Sequence, residues 1–582
     1  MSYEPPVEEI AFTLRAIAGF DDAALGDVPL DAILAEAGRF AAEVIAPLNR
    51  VGDREGVRFV DGAVTTAPGW REAYRSFAEA GWTGVSAPPD YGGMGLPVTV
   101  EMAVQEMWNS SAAAFAVGPM LTVGAIEAIA AHGSDELKSL YLPRLAAGEW
   151  TATMNLTEPQ AGSDLGLLRA QAVRADDGTY RIAGQKIFIT YGEHDLADNI
   201  VHLVLARLPD APPGTGGISM FLVPKFVPDA GGAPGMRNRV AAVGVEHKLG
   251  LHGSPTCTMA YEDATGWLIG EEHRGLACMF TMMNLARLSV GIQGVGVAER
   301  AFQAALAYAR ERRQGRGLDS AAQGPDPIIA HPDVEMMLMR MASLTAASRA
   351  LCYACAEAID MARRAAPEDR LAWAERASLL TPLAKAYATD AAIEVADIGV
   401  QVHGGAGYIE ETGAAQHLRD ARIFSIYEGT NGIQAIDLVL RKLRLGDGAA
   451  VTAVTAELNA IAEAAAMSGR SDLRAISAPL SAAVTALADA TAFVSGALQQ
   501  GGKRSVLLGA SAYLRLFAGV LAGGLLVKGA LAADRHTAAE ATIAKAVFFA
   551  HTMIPGAVAL RAVVEGATAA VGAGATGLLR GG

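Results

Sequence analysis

The chain contains 582 residues, of which 51% are hydrophobic and 19% charged, and its formal net charge is −15. A chain of this length exceeds what one hydrophobic core supports, so we expect three or four domains. The acidic balance, without any block of Lys or Arg, excludes binding to a nucleic-acid backbone as a main function.

The N-terminal stretch MSYEPPVEEIAFTL is acidic and lacks the basic and apolar regions of a signal peptide. The longest apolar run, LFAGVLAGGLLV at 516–527, is shorter than the stretch of about 20 residues that crosses a bilayer. We therefore expect a buried helix there, no membrane span, and a cytoplasmic protein.

Residues 1–150 are predicted to form an N-terminal helical domain. Apolar residues recur at helical spacing in 30–50 and 70–82, and two more amphipathic stretches follow around 98–131 and 134–147. The Gly- and Pro-rich segment APPDYGGMGLP at 87–97 is typical of a loop.

Residues 151–275 are predicted to form a middle β domain, either a barrel or a sandwich. The segments are short, rich in β-branched and aromatic residues, and bounded by Gly, Pro and Asp. They are YRIAGQKIFITYG (180–192), NIVHLVLARL (199–208), GISMFLVPKF (217–226) and TCTMAYEDATGWLIG (256–270).

Long helices are predicted to return after residue 275. Segments 276–313, 333–365, 369–403 and 412–443 have the length of helices in a four-helix bundle, which gives a domain at 276–445. A hinge at 443–450 precedes an additional helical domain at 451–582. The fold class is therefore mainly α with a central β domain.

Two short motifs do not indicate a site. Gly572, Gly574 and Gly577 match G-x-G-x-x-G, but no strand precedes them, so a dinucleotide site is rejected. Cys352 and Cys355 match C-x-x-C within a helical run, where a pair of buried cysteines is favoured over a redox or metal role. Cys257 and Cys278 are the other cysteines; no disulfide framework and no metal site are predicted.

Two segments of the β domain carry candidate binding groups. MNLTEPQAGSD (154–164) offers the hydroxyls of Thr157 and Ser163 and the backbone freedom of Gly162, although an ordinary capped loop has the same composition. In KIFIT (186–190), strand alternation places Phe188 and Thr190 on one face, where they suit either a flat ring or the core.

Two segments of the bundle carry candidate anion-binding groups. YARERRQGRG (308–317) concentrates Arg310, Arg312, Arg313 and Arg316, which suit phosphate or simply a solvated helix end. The glycines of QVHGGAGYIEETG (401–413) break a helix, and their backbone N–H groups either cradle an anion or form a plain turn.

A single acid occupies the largely apolar segment IYEGTNGIQ (426–434). Glu428 follows Tyr427, at the end of a predicted helix that carries RDARIFSI. Poor solvation raises the pKa of a carboxyl group towards the working pH, which suits a general base. The alternative is a surface glutamate.

Six motifs together give the chain a resemblance to the acyl-CoA dehydrogenase family over residues ~30–443. They are MNLTEPQAGSD, KIFIT, EHKLGLHGSPTCTMAYEDATGWLIGEEHRGL (246–276), ARLSVGIQGVGVAERAFQAALAYARERRQG (286–315), QVHGGAGYIEE and IYEGTNGIQ. The additional domain at 451–582 is similar to that of a long subgroup of this family.

The resemblance implies an FAD site where the β domain meets the bundle. The positions that match its cofactor-binding residues are Met154, Asn155, Leu156, Thr157, Gly162, Ser163, Phe188, Ile189, Thr190, Arg312, Gln314, Gln401, Gly404, Gly405, Thr430 and Asn431. Those that match substrate-binding residues are Ser163, Asn284, Arg287 and Glu428. Since Arg312 and Gln401 match residues that reach a neighbouring subunit, a homo-oligomer, most simply a dimer, is implied.

The resemblance also implies the reaction. Glu428 would remove the α-proton of an acyl-CoA thioester while the β-hydrogen leaves as hydride to flavin N5, giving the 2-enoyl-CoA. An electron-transfer flavoprotein is the implied electron acceptor, and fatty acid metabolism is the implied context. Both 3-(methylthio)propanoyl-CoA and a short straight-chain acyl-CoA are candidate substrates. The alternatives are a flavin oxidase or monooxygenase on the same fold, and a non-enzymatic flavoprotein scaffold.

Three positions depart from the family pattern. Gly315 follows Gln314 where the family usually has Phe, and Gly432 stands where many members carry Gln or Glu. His403 replaces a common apolar residue in Q-x-x-G-G.

Overall fold

The computed structural model describes residues 3–318, 323–533 and 539–571, and the glycine motif at 572–577 lies outside them. The helices are α1 (Val7–Phe12), α2 (Leu30–Phe40), α3 (Leu48–Glu55), α4 (Trp70–Glu79), α5 (Val98–His132), α6 (Asp135–Ala146), α7 (Gly275–Glu311), α8 (Pro332–Arg364), α9 (Arg370–His403), α10 (Ala414–Ala421), α11 (Asn431–Leu440), α12 (Ala449–Ala466), α13 (Ser471–Gln499), α14 (Lys503–Ala533), α15 (Ala539–Thr552) and α16 (Ile554–Ala570). The strands are β1 (Arg58–Val60), β2 (Ala63–Thr65), β3 (Trp150–Asn155), β4 (Gln171–Arg174), β5 (Tyr180–Thr190), β6 (Asn199–Arg207), β7 (Ile218–Pro224), β8 (Phe226–Pro228), β9 (Pro234–Arg237), β10 (Val240–Val245) and β11 (Thr256–Ile269).

The chain divides into two compact units. One contains Glu36–Ser289, and the other contains Pro6–Ala35 and the chain from Val290 onward. The second unit therefore holds the additional C-terminal helices and the predicted bundle from Val290 onward, whereas residues 276–289 of the predicted bundle lie in the first unit.

Five strands of the first unit close into a barrel, one of the two predicted forms; they are β11, β5, β4, β6 and β7. Strands pair in the order β10-β11-β5-β4-β6-β3, and β7 pairs with both β6 and β11. Every residue of β7 is buried, as expected of a strand covered on both faces. The hairpin β1–β2 lies within the predicted N-terminal helical domain and was not predicted. Its strands are only three residues long, too short to show a clear alternation in the sequence.

Three of the four predicted bundle helices are confirmed as α7, α8 and α9. The fourth, predicted at 412–443, is wrong as a single helix, because α10 ends at Ala421 and α11 starts only at Asn431. Between them Glu428 and Gly429 have φ of 55° and 85°. Two consecutive left-handed residues cannot continue a right-handed helix.

Buried charges fasten the N-terminal segment to α7, α8 and α15. The guanidinium of Arg349, only 1% exposed, lies 2.7 Å from Glu9 and 2.8 Å from Glu299. Lys545 lies 2.8 Å from the same Glu9 carboxylate. Burial opposes ionisation of Glu9, but the two cations outweigh it and lower its pKa to about 2.

Five helical segments of the described residues are long and apolar enough, by length and composition, to cross a membrane. They are Val98–His132, Gly275–Glu311, Ser471–Gln499, Lys503–Ala533 and Ala539–Ala570, the last of which comprises α15 and α16. The expectation that the run at 516–527 is too short is wrong in that respect, because the run lies within the 31-residue α14. The predicted burial of α14 is confirmed, since 83% of its apolar window is buried inside the fold. The absence of a membrane span stays a prediction.

Candidate functional site

The predicted cofactor-binding segment MNLTEPQAGSD begins on β3, which pairs in parallel with β6. Met154 is 8% exposed and Asn155 is fully buried. The Asn155 side chain accepts a hydrogen bond from the Tyr261 hydroxyl at 2.8 Å. Its amide group also lies 3.3 Å from Nδ1 of His202. The Asn155 side chain therefore serves the interior of the β domain, and only its backbone suits the predicted role.

A buried ion pair holds the loop that follows β3. The Lys186 ammonium donates to Glu158 at 2.8 Å and to the Leu156 carbonyl at 3.0 Å. The Glu158 carboxylate also accepts the backbone N–H groups of Arg169 and Ala170. Burial lowers the pKa of Lys186 to about 8. For Glu158, burial alone would raise the pKa, but the Lys186 charge and these donors bring it below its ordinary value.

This ion pair joins the two motif segments of the β domain, and we did not single it out in the sequence. The sequence signal for this pair was Glu158, one of the two acids in MNLTEPQAGSD, and Lys186, which opens KIFIT. The segments are also joined by backbone, because the Ile187 N–H donates to the Thr157 carbonyl at 2.9 Å. Thr157 is half-buried, whereas Gly162 and Ser163 are exposed.

A bulge aims Phe188 outward from β5. Ile189 pairs with Cys257 and Lys186 pairs with Met259, so two residues of β5 oppose one of β11. Phe188 adopts φ 59° and is 59% exposed, while Ile189 is buried and Thr190 is half-buried. Strict alternation is therefore broken, although Phe188 and Thr190 still flank a buried residue. An exposed aromatic ring on a fixed strand is a suitable surface for a flat ring.

The predicted CoA-binding positions of α7 differ in exposure. Asn284 is exposed, whereas Arg287 is 7% exposed, with its guanidinium 5.8 Å from the centre of the Phe280 ring. Ser163 is exposed on its loop.

In the other unit, the positions predicted to reach a neighbouring subunit are exposed. Arg312 and Gln314 follow the end of α7, in a segment held by backbone hydrogen bonds to Ile328 and Asp326. Gln401, Gly404 and Gly405 are exposed at the end of α9.

The departure at His403 has a structural explanation. The ring is 6% exposed, lies 2.7 Å from the Gly399 carbonyl through Nδ1, and stacks on Tyr308 at 4.5 Å. Burial lowers the His403 pKa, which favours the neutral ring. His403 thus acts as a packed aromatic residue.

The candidate base lies on a loop and not at the end of a helix, which corrects the prediction. Glu428 is seven residues beyond Ala421, the last residue of α10, and is half-buried. The preceding Tyr427 hydroxyl donates to Gln293. Burial, and next the Glu428 charge, raise the pKa of Tyr427 well above its ordinary value. The Glu428 carboxylate therefore adjoins a phenol that stays neutral.

Thr430 and Asn431 use their side chains to begin α11. The Thr430 hydroxyl accepts the Ile433 N–H at 3.2 Å, as an N-cap residue does. The Asn431 amide donates to Asp390 at 2.7 Å and accepts from Lys385 at 3.0 Å. Their cofactor contacts stay a prediction, and these bonds already occupy much of both side chains.

The cysteine interpretation agrees with the structure. Cys352 and Cys355 are both fully buried on α8, and burial raises the pKa of Cys355 to about 12. Among the described residues, no group of three His, Cys, Asp or Glu side chains is arranged to hold a metal ion.

Comparison with family models matches almost the whole chain. Residues 30–149, 153–264 and 273–443 match the N-terminal, middle and C-terminal domains of acyl-CoA dehydrogenase, and residues 454–573 match an acetyl-CoA dehydrogenase C-terminal-like domain.

Two curated relatives and a solved structure span nearly the full chain. The 3-methylmercaptopropionyl-CoA dehydrogenase of Ruegeria pomeroyi is 46% identical over 95% of this chain and 96% of its own. The broad-specificity linear acyl-CoA dehydrogenase FadE5 of Mycobacterium tuberculosis is 33% identical over 97% of both chains. The Bacillus anthracis acyl-CoA dehydrogenase complexed with FAD has a TM-score of 0.75 and 22% identity, covering 95% of this chain and 90% of its own. The chain belongs to the acyl-CoA dehydrogenase family and is an oxidoreductase that acts on acyl-CoA.

Proposed function

We propose that this protein dehydrogenates 3-(methylthio)propanoyl-CoA to the 2-enoyl-CoA, with Glu428 as the base. The substrate proposal rests on the 46% identity to the Ruegeria enzyme, which extends through the additional C-terminal domain. The observation that supports the base is the position of Glu428. It is a half-buried carboxylate in a left-handed backbone conformation, next to the half-buried Tyr427. Such strain in a non-glycine residue is typical of functional loops.

The exposed surfaces of both units fit FAD. A Cβ atom added at Gly162, Gly404 or Gly405 would meet no atom within 4 Å, so these backbones are open to a ligand. The exposed Phe188 ring, with Thr157 and Thr190, would hold the flavin ring, and Arg312, Gln314 and Gln401 would hold the FAD of a second subunit. When bound, FAD supplies the acceptor for the β-hydrogen, which leaves the substrate as hydride.

The residues of this chain perform the proton step. The Glu428 carboxylate accepts the α-proton, and it is half-buried, which limits its contact with water. A proton on the α-carbon of a thioester is weakly acidic, so the base is effective only when held at a fixed distance and angle. Ser163, Asn284 and Arg287 would orient the CoA portion.

Glu428→Gln tests the proposed base. This variant keeps the size and hydrogen-bonding capacity of the side chain but not its basicity. We expect bound FAD and acyl-CoA binding to be retained, and turnover to fall by about four orders of magnitude. Glu463→Gln, which changes an exposed glutamate of α12, is the control and should be unaffected. Turnover of Glu428→Gln within tenfold of the wild type would show that another group is the base.

A panel of acyl-CoA substrates tests the proposed specificity. With an artificial electron acceptor, kcat/KM for 3-(methylthio)propanoyl-CoA should exceed that for butanoyl-CoA and longer straight chains. A preference for straight chains would instead indicate a specificity like that in the name of the FadE5 relative.

We further propose a cytoplasmic homodimer that passes electrons to an electron-transfer flavoprotein. Light scattering of the purified holoenzyme and reduction of such a flavoprotein by the enzyme and its substrate test these two points.

A further inference from the structure

A fully buried lysine lies beneath the loop of the candidate base. Lys385, on α9, has 0% exposure. Its ammonium donates to the Gly429 carbonyl at 3.0 Å and to the Asn431 side-chain oxygen at 3.0 Å. Burying an ammonium group is costly unless it is well bonded, so a lysine kept there is expected to stabilise the groups that it contacts.

The carbonyl that Lys385 contacts belongs to the residue that follows Glu428. A second buried side chain, Gln434 of α11, donates to the carbonyls of Glu428 at 3.3 Å and Gly429 at 3.1 Å. The two peptide carbonyls that follow the Glu428 side chain are therefore both fixed by hydrogen bonds from buried side chains. Glu428 has φ 55°, a backbone conformation that costs energy in a non-glycine residue. These hydrogen bonds therefore stabilise a conformation that the loop would otherwise not keep.

We propose that Lys385 is a positioning residue for Glu428: its bonds to Gly429 and Asn431 fix the left-handed turn that directs the carboxylate. Gln434 assists by holding the same two carbonyls. This inference rests on the proposed role of Glu428. Neither side chain takes the proton itself. Their contribution is to restrict the carboxylate to one direction, and misplacement of a catalytic group by about 1 Å lowers a rate by about 100-fold.

Lys385→Met tests this role, because methionine preserves much of the volume without the ammonium. In the holoenzyme we expect kcat to fall by about 100-fold while KM changes less than threefold and bound FAD is retained. The primary kinetic isotope effect with α-deuterated acyl-CoA should increase, since proton abstraction becomes slower than the other steps. A role in stability alone would lower the amount of folded enzyme without changing the isotope effect.

A matched control is Lys528→Met. Lys528 also donates to a backbone carbonyl, that of Ile17 at 2.8 Å, but it contacts the N-terminal segment. The Lys528→Met variant should leave kcat unchanged.

If Lys385→Met does not fold, Gln434→Met remains informative, because it removes the donor to both carbonyls without removing a charge. It should lower kcat about tenfold and increase the same isotope effect.

The outcomes separate this inference from the proposed function. If Glu428→Gln is inactive but Lys385→Met or Gln434→Met retains normal kcat and isotope effect, the positioning role is wrong and the base stands. If Glu428→Gln retains turnover, both are wrong. If all three variants behave as described, the turn held by Lys385 and Gln434 sets the direction of the base.

Discussion

The two candidate site segments are built in the same manner but secured by different chemistry. Each carries a non-glycine residue in the left-handed region, Phe188 in one unit and Glu428 in the other. Each is fastened by a fully buried lysine, Lys186 or Lys385. Lys186 is bonded to a buried carboxylate, whereas Lys385 is bonded to a carbonyl and an amide oxygen.

This difference separates stability from turnover. Around Lys186 the charge of Glu158 is buried with it, so the loss of one partner leaves the other uncompensated, which is costly for folding. Around Lys385 the two loop acceptors described above, the Gly429 carbonyl and the Asn431 side-chain oxygen, are neutral, and we expect the loss of these bonds mainly to free the backbone that carries the base. We therefore expect substitutions around Lys186 to lower the stability of the fold or the retention of FAD. Substitutions around Lys385 should mainly lower kcat.

The largest effect on stability is expected from Lys186→Met. It leaves the Glu158 carboxylate buried without its cation, which should lower the free energy of unfolding by about 3–5 kcal/mol. Chemical denaturation of the holoenzyme measures this loss, and flavin absorbance measures retained FAD. The double variant Lys186→Met/Glu158→Leu should recover part of the stability. If the single variant is as stable as the wild type, the pair does not hold this loop.

A pH-dependent effect is expected from Glu158→Gln. The folded pKa of Glu158 lies below its ordinary value, so its ionised form stabilises the protein above the unfolded pKa, and this contribution is lost as pH falls through the folded pKa. The variant should therefore be less stable than the wild type at pH 7, with a difference that shrinks below a pH of about 4.5. Thermal unfolding at several pH values tests this.

The control for this pH profile is Glu149→Gln. Glu149 is 54% exposed in an ion pair with Arg144, and a surface pair contributes about 1 kcal/mol or less. A difference between Glu158→Gln and the wild type that stayed constant down to pH 3 would contradict the assignment.

The smallest effect is expected from Arg515→Ala in the additional helical domain. Arg515 lies 3.1 Å from Asp390, which accepts a hydrogen bond from Asn431, so α14 reaches the loop of the base through two polar contacts. Arg515 is 63% exposed, and an exposed pair contributes about 0.2–1 kcal/mol. We expect kcat to decrease by less than about threefold.

Arg561→Ala is the matched control, because Arg561 of α16 pairs with Asp489 of α13, and both lie within the additional helical domain. It should leave kcat unchanged. Equal kcat for Arg515→Ala, Arg561→Ala and the wild type would mean that the additional domain does not influence the base through this contact.

Much of the architecture was readable from local patterns. Helical spacing predicted α7, α8 and α9 to within a few residues, and clusters of β-branched residues predicted β5, β6, β7 and β11. The hairpin β1–β2 and the break between α10 and α11 were missed. Very short strands carry little periodicity, and the segment 422–430 has apolar residues at spacings that suit a helix.

The sequence by itself determined the order of helical and β segments, the position of one acid in an apolar stretch, and the motifs that relate this chain to its family. Only the tertiary structure decided that Glu428 lies on a left-handed turn, that Phe188 is aimed outward by a bulge, and that Lys186 and Lys385 fasten these segments. The reason is physical. Periodicity records which face of an element is buried, whereas the partner of a buried lysine is set by residues distant in the chain, brought together only when the elements pack.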